Sequence, residues 1–286
     1  MEHNSQASHR IGGGIARQES AMFKHILIAH DLRGTAELAL RRAAQLAQQH
    51  GARLSVLHVL DPGQNEQAHD QTRQALDSSI SQSAPPGSTL HLRSGKPSEV
   101  VLQHLQENDY DLLVLGGHLE RHEFFSGTSL DRIARHCPMP LLLVAHPSKS
   151  PYRKAVAAID FSLCACSALA GAYGLLPQDA ELHAVHVFEP DKGTPDQVRN
   201  QVEIQHALIE QLLQDEAQKL PLSGPQLSHT VHEGGILRCL QEQLKARESD
   251  LLVLGSHGRG ALSQALLGSL AQHFLHKAPC DVFVVR

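Results

Sequence analysis

The chain has no tryptophan, and aromatic residues make up only 3% of it, so its core has to be assembled from Leu, Val, Ile and Ala. No apolar run approaches the ~18 residues that a membrane-crossing helix needs, which argues against a membrane protein. Positive charge is also in short supply. Against 30 Asp and Glu there are 25 Lys and Arg, and the formal net charge of −5 disfavours a protein that grips nucleic acid through its phosphates. The five cysteines are odd in number and scattered over 286 residues, the pattern of free cytosolic thiols rather than of a disulfide scaffold. Residues 1–21 lack the apolar centre of a signal peptide and read as a flexible extension, with Met22 a candidate internal start. These absences together point to the cytoplasm.

What is plentiful is histidine. There are 21, and protonating about a quarter of them near their ordinary pKa of ~6.5 would cancel the net charge. Hydrophobic residues at 41% and charged ones at 19% fit a folded chain rather than a disordered one.

The chain also repeats itself. The hexapeptide Asp111-Leu-Leu-Val-Leu-Gly116 recurs unchanged as Asp250-Leu-Leu-Val-Leu-Gly255. Upstream, Leu57-His58-Val59-Leu60-Asp61-Pro62 answers Val185-His186-Val187-Phe188-Glu189-Pro190, and the segment ending in Asp31 answers the one ending in Asp160. Near the ends, Cys137–Val144 answers Ala278–Val285. Four matches in one order make a tandem duplication, with copies at 22–146 and 152–286 joined by a linker at 147–151 whose Pro and Ser content suits a loop.

Within each copy short apolar runs alternate with longer amphipathic stretches. In the second copy strands are expected at Ala155–Ile159, Glu181–Val187, Leu227–Val231, Leu251–Gly255 and Val282–Val285. Helices are expected at Ser162–Leu176, Val198–Leu220, Gly235–Arg247 and Leu266–Lys277. A run such as Leu-Leu-Val-Leu does not alternate with polar residues, so both of its faces are buried and helices must cover both sides of a parallel sheet. With right-handed crossovers, each copy becomes a doubly wound α/β domain of five parallel strands in the order 3-2-1-4-5. The last strand of each copy is then an open edge. The simplest cover is for Leu141–Val144 and Val282–Val285 to pair across a pseudo-twofold, so that one chain forms an intramolecular pseudo-dimer. A further homodimer of whole chains stays open.

Ligands of open α/β sheets lie beyond the carboxyl ends of the strands, where the winding direction reverses. Asp160 and Gly255 fall there in the second copy. After Gly255 come Gly258, Arg259 and then Gly268-Ser269, which opens a helix. Glycines allow close backbone approach and a helix start offers free N–H donors, so the arrangement suits a phosphate.

The spacing Gly255-x2-Gly258-x9-Gly268-Ser269 resembles the ATP-binding signature of the universal stress protein superfamily, and Asp160-Phe-Ser162 and His186-Val187 are also similar to that family. The resemblance covers residues 22–286. It implies ATP as ligand, with Asp160 at the adenosine, the Val187 backbone at adenine, and Gly255 and Gly258 along ribose and phosphates. Gly268, Ser269 and the Leu270 amide would hold the phosphate tail, Arg259 could touch it, and Mg²⁺ could bridge the phosphates. It also implies the edge-paired assembly and a role in stress responses through a protein partner that the sequence does not identify.

The first copy departs from this pattern. It keeps Asp31, Val59 and Gly116, but Leu119 replaces the second glycine, and Gly127-Thr128 follows Gly116 by 11 residues where Gly268 follows Gly255 by 13. Glu120 and Glu123 would repel a phosphate chain. The first copy is therefore not expected to bind ATP in the same manner.

Nothing in the sequence demands catalysis. There is no G-x-x-x-x-G-K-[ST] loop, and a nucleotide-binding regulatory module is favoured over an enzyme. Slow ATP hydrolysis or autophosphorylation, with His257 and Arg259 beside the phosphates, is the alternative, and a carrier with another ligand in the first copy is a third reading. His257 is expected to support its loop. His118/His122, His183/His186 and His229/His232 do not have convincing metal spacing, and Cys164-x-Cys166 at a helix start is read as packing.

Overall fold

The computed structural model describes residues 23–117, 126–147, 150–190, 193–258 and 267–286, with backbone alone for 126–128. The expected N-terminal extension lies outside these residues, as do His118, Leu119, Glu120, His122, Glu123 and Arg259.

The first half runs β1 (His25–Ala29), α1 (Gly34–His50), β2 (Arg53–Leu60), α2 (Glu66–Ser83), β3 (Thr89–Ser94), α3 (Pro97–Glu107), β4 (Leu112–Gly116), α4 (Ser126–His136) and β5 (Leu141–Val144). The second repeats it as β6 (Lys154–Ile159), α5 (Leu163–Leu175), β7 (Glu181–Phe188), α6 (Pro195–Ala217), β8 (Gln226–Glu233), α7 (Ile236–Arg247), β9 (Leu251–Gly255), α8 (Ser269–His276) and β10 (Asp281–Val285).

All ten strands form one sheet in the order β3-β2-β1-β4-β5-β10-β9-β6-β7-β8. Each half is parallel with the order 3-2-1-4-5, and the halves meet where β5 and β10 pair antiparallel, Leu142 opposite Phe283. Edge strands with Leu-Leu-Leu-Val and Val-Phe-Val-Val thereby lose their exposed backbone groups to each other.

The apolar strand runs explain the two layers of helices. On β1, Ile26 and Ile28 enter one core while Leu27 enters the other; on β9, Leu251 and Val253 part in the same way from Leu252 and Leu254. One core packs under α1 and α5, the other under α3, α4, α7 and α8, and each extends across both halves. A period of two along a strand with both faces apolar allows no other solution than cover on both sides.

The repeated hexapeptides begin with Asp for a structural reason. Asp111 accepts the Lys24 and His25 N–H groups at 2.7 and 2.8 Å, and Asp250 accepts those of Arg153 and Lys154 at 2.8 and 3.2 Å. Each aspartate satisfies the otherwise unpaired start of the neighbouring central strand. Burial pushes the Asp250 carboxyl above the ordinary carboxylate range, although the N–H groups it accepts pull the other way.

Candidate functional site

The first turn after β6 fixes the strand-end carboxylate. Asp160 Oδ1 accepts from the Ser162 N–H at 3.1 Å and from the Ser162 hydroxyl at 2.6 Å, an Asx turn that carries Phe161 through the left-handed region at φ 64°. Ser162 then caps α5 by accepting from the Ala165 N–H at 3.2 Å. The first half builds the same turn: Asp31 Oδ1 accepts from Arg33 N–H at 3.1 Å, and Leu32 also has φ 64°. A non-glycine residue in this region is uncommon, and its repetition marks a conformation that the turn enforces in both halves.

The glycines of the loop after β9 have different tasks. A Cβ on Gly255 would lie 2.9 Å from Ala165 N, and one on Gly116 would lie 2.9 Å from the Thr35 backbone. This first glycine lets the strand end pass against the following helix, so it is required by the fold in either half. A Cβ on Gly258 would meet Asp160 Oδ2 at 2.5 Å, so this second glycine is what allows the loop to lie against the strand-end carboxylate. Gly268 packs on the same loop, donating its N–H to Ser256 O at 2.7 Å, and is the cap residue of α8 without any side-chain cap. The first N–H groups of that helix, from Ser269 onward, thus meet the cavity with the partial positive charge of a helix start.

These parts enclose a cavity of about 260 Å³ at the carboxyl ends of β6 and β9. Asp160, Gly255, Gly258, Gly268, Ser269 and Leu270 all line it, together with His257, Ser162 and Ile236. Val187 is not among the lining residues; it sits half-buried at the end of β7 and packs against the core. Arg259 lies outside the described residues. The sequence reading missed Ile236, whose place on the rim follows from the Gly234-Gly235 turn that starts α7, and it gave His257 only a supporting role.

His257 does support the loop, with Nδ1 at 3.0 Å from Ser256 Oγ. It also reaches across to α5, where Cys164 Sγ lies 3.3 Å from Nε2. His186 is structural: its Nδ1 donates to Ile159 O at 2.7 Å, as His58 Nδ1 donates to His30 O at 2.6 Å in the first half. His183 is held by Ser228 and Thr230 and takes no partner in common with His186. Among the described residues no group of three His, Cys, Asp or Glu side chains is placed to hold a metal ion.

The first half has a cavity of about 190 Å³ in the equivalent position, lined by Asp31, His30, His58, Val59, Gly116 and Ser129 among mostly apolar residues. Its polar end differs from that of the second half. His30 is buried at 2% exposure, accepts the Leu32 N–H on Nδ1 at 3.1 Å and places Nε2 3.3 Å from Glu37, while burial lowers its pKa. The helix start differs as well. Gly127 lies inside α4 rather than ahead of it, so the first half does not repeat the Gly268-Ser269 cap geometry.

Known proteins with the same pattern agree on the ancestry. The sequence profile described as "Universal stress protein family" matches residues 22–145 and again 151–286. The universal stress protein E homolog of Haemophilus influenzae is 24% identical over an alignment spanning 92% of this chain and 97% of that protein. A universal stress protein of Thermus aquaticus is 30% identical over 136 residues, which is 43% of this chain and 99% of the relative. The crystal structure of a universal stress protein from Archaeoglobus fulgidus superposes with a TM-score of 0.65 at 18% identity, over 94% of this chain and 99% of that one, a likeness of fold. Two profile matches on two halves that share one topology, one Asx turn and one strand-end glycine leave a single conclusion: the chain belongs to the universal stress protein family, as a tandem of two of its domains.

Proposed function

We propose that the second domain binds ATP and that the chain works as a nucleotide-dependent regulatory module of the stress response, acting through a protein partner. The observation that carries this reading is the junction of Gly258 against Asp160 and of Gly268 ahead of the uncapped α8, around one cavity. A strand-end carboxylate suits ribose hydroxyls, and backbone N–H groups at a helix start suit phosphate oxygens without any lysine. The acidic net charge is therefore no obstacle. Mg²⁺ would be held chiefly by the phosphates, since the described residues offer no carboxylate cluster for it.

Calorimetry with ATP and Mg²⁺ tests the proposal, with about one ATP per chain expected. Ser269→Asp is the sharper variant. An acidic residue in the first turn suits the helix, so the fold persists, while its charge faces the phosphates. Affinity should fall at least tenfold, and unchanged affinity would refute the cradle. Gly268→Val is less informative, because a Cβ there would press on Ser256 O at 3.2 Å and disturb the β9–α8 junction itself.

The first domain lacks the cap geometry for phosphates that Gly268 and Ser269 give the second, which favours a second, separate ligand in its cavity of about 190 Å³ rather than a second ATP. Native mass spectrometry of the freshly purified chain should then show one ATP, with any further adduct free of a triphosphate.

A further inference from the structure

β5 and β10 run antiparallel at the seam between the domains, so the helices that lead into them, α4 and α8, also run antiparallel, side by side over the seam. Asp131 of α4 fixes their register. Its Oδ1 accepts from His276 Nε2 at 2.9 Å and from Gln272 Nε2 at 3.4 Å, two residues one turn apart on α8. One turn further along α4, on the same face, is Arg135. Because the helices run in opposite directions, that step of ~6 Å carries Arg135 back along α8, from the level of Gln272 and His276 to that of Gly268 and Gln272. Gly268 is the cap residue of α8, and the N–H groups that follow it are those offered to phosphate in the second domain. A residue of the first domain thus stands beside the phosphate end of the second-domain site.

Matched through Cys137 and Ala278, Asp131 corresponds to Gln272 and Arg135 to His276. The pseudo-twofold therefore relates two cations at this seam, and their surroundings differ. His276, beside the start of α4, has the Asp131 carboxylate at 2.9 Å. Arg135, beside the start of α8, has the neutral Gln272 in the corresponding place. The acid four residues back, Asp131, is turned to His276 and Gln272, and Glu99 is taken by Arg132 at 3.0 Å. Among the described residues Arg135 has neither a hydrogen bond nor an ion pair, and its Nε is buried without a partner. An unpaired guanidinium beside a helix start is doubly unfavourable, because the buried donor is unsatisfied and the helix start is itself positive. An anion between them removes both penalties, and a planar guanidinium matches phosphate oxygens in pairs.

We propose that Arg135 of the first domain binds the terminal phosphates of ATP held in the second domain. This role rests on the ATP reading and deepens it: the site is shared between the domains, and the first domain serves it with a charge. The asymmetry of the repeat then runs in one direction. The glycine cap ahead of α8 lies on the side of the unpaired arginine, whereas α4, which starts at Ser126 with Gly127 inside it, lies on the side of the histidine already paired with Asp131. Bound ATP ties the two domains together through charge-assisted hydrogen bonds, and a triphosphate is preferred to a monophosphate because only it brings terminal oxygens to Arg135.

Calorimetry on the full-length chain with Mg²⁺, using ATP and AMP as ligands, tests this. Arg135→Gln should weaken ATP at least tenfold and AMP less than twofold. Arg135→Lys should recover most of the ATP affinity, since it restores the charge but not the paired hydrogen bonds. Arg132→Gln, three residues back on α4 and engaged with Glu99, should leave both ligands unchanged. Without ligand, Arg135→Gln should unfold in urea with the wild type or later, because it removes an unpaired charge; an arginine with a structural role would lose stability instead. Unchanged ATP affinity in Arg135→Gln, an equal loss for ATP and AMP, an equal effect of Arg132→Gln, or an earlier unfolding midpoint overturns the role of Arg135 and leaves the ATP reading standing. A wild type that binds no ATP overturns both.

Discussion

His183 on β7 is 2% exposed and fully engaged, with Nδ1 at 2.8 Å from Ser228 Oγ and Nε2 at 2.9 Å from Thr230 Oγ1. Burial first, and then the nearby Arg247, His229 and His232, lower its pKa from the ordinary 6.5 to about 4. Between those values the folded protein keeps His183 neutral while the unfolded chain binds the proton. Its contribution to stability is therefore complete above pH 6.5 and is lost as pH falls toward 4. Urea denaturation across this window should show the decline, and His183→Gln, which retains hydrogen-bonding capacity, should make it shallower. His25, His91 and His104 of the first domain shift in the same direction through burial, so acid should weaken that domain too. Several of the histidines are thus internal hydrogen-bonding groups. The sequence could count them, but strand pairing alone sets His183 beside Ser228 and Thr230.

At the scale of elements, the glycine signature separates into parts with distinct physical tasks. Gly116→Ala and Gly255→Ala each drive a Cβ to 2.9 Å from helix backbone, and each should destabilise the chain by about 1–3 kcal/mol in chemical denaturation. Gly258→Ala instead meets a carboxylate oxygen of Asp160, so ATP affinity should suffer more than the unfolding midpoint. A larger stability loss at Gly258 than at Gly255 would contradict this division. Element boundaries were legible to within a few residues, and the misses have identifiable causes. Helix α6 starts at Pro195 rather than Val198, because Thr194 and Gln197 form a capping box that hydrophobic periodicity ignores. Helix α8 starts at Ser269 rather than Leu266, since Gly268 stands in extended conformation at φ −62° and ψ 150° and ends the preceding loop.

At the scale of the molecule, the two domains are fastened where β5 meets β10. Asp281 is 2% exposed; it accepts from the Ala145 N–H at 2.9 Å and from Tyr152 OH at 2.7 Å, and its carboxylate lies 3.6 Å from Arg42 Nε. Arg42 stacks over Tyr152 at 3.9 Å and donates to Ser150 O at 2.8 Å, tying α1 to the segment between the domains. Burial, and then the Asp281 carboxylate, raise the Tyr152 pKa well above the ordinary 10, so the phenol stays a donor. Asp281→Ala strands the buried Arg42 and should cost about 3–5 kcal/mol, measured by urea unfolding. Tyr152→Phe removes one hydrogen bond to a charged acceptor and should cost about 1.5–3 kcal/mol. If Asp281→Ala unfolded like the wild type, the fastening would lie in the strand pairing alone.

The sequence by itself determined the duplication, the parallel strand order, the edge pairing and the inequality of the two loops. All of these rest on local patterns: apolar runs without alternation, repeated hexapeptides, and glycine spacing. Only the tertiary structure decided what depends on residues far apart in the chain. Gly255 proved to be a packing glycine, Gly258 the one that faces Asp160, and Asp281 the partner of Arg42 from the other domain. Cys164 and His257, 93 positions apart, meet because a strand end and a helix start must pack closely there, and no spacing in the sequence records that contact.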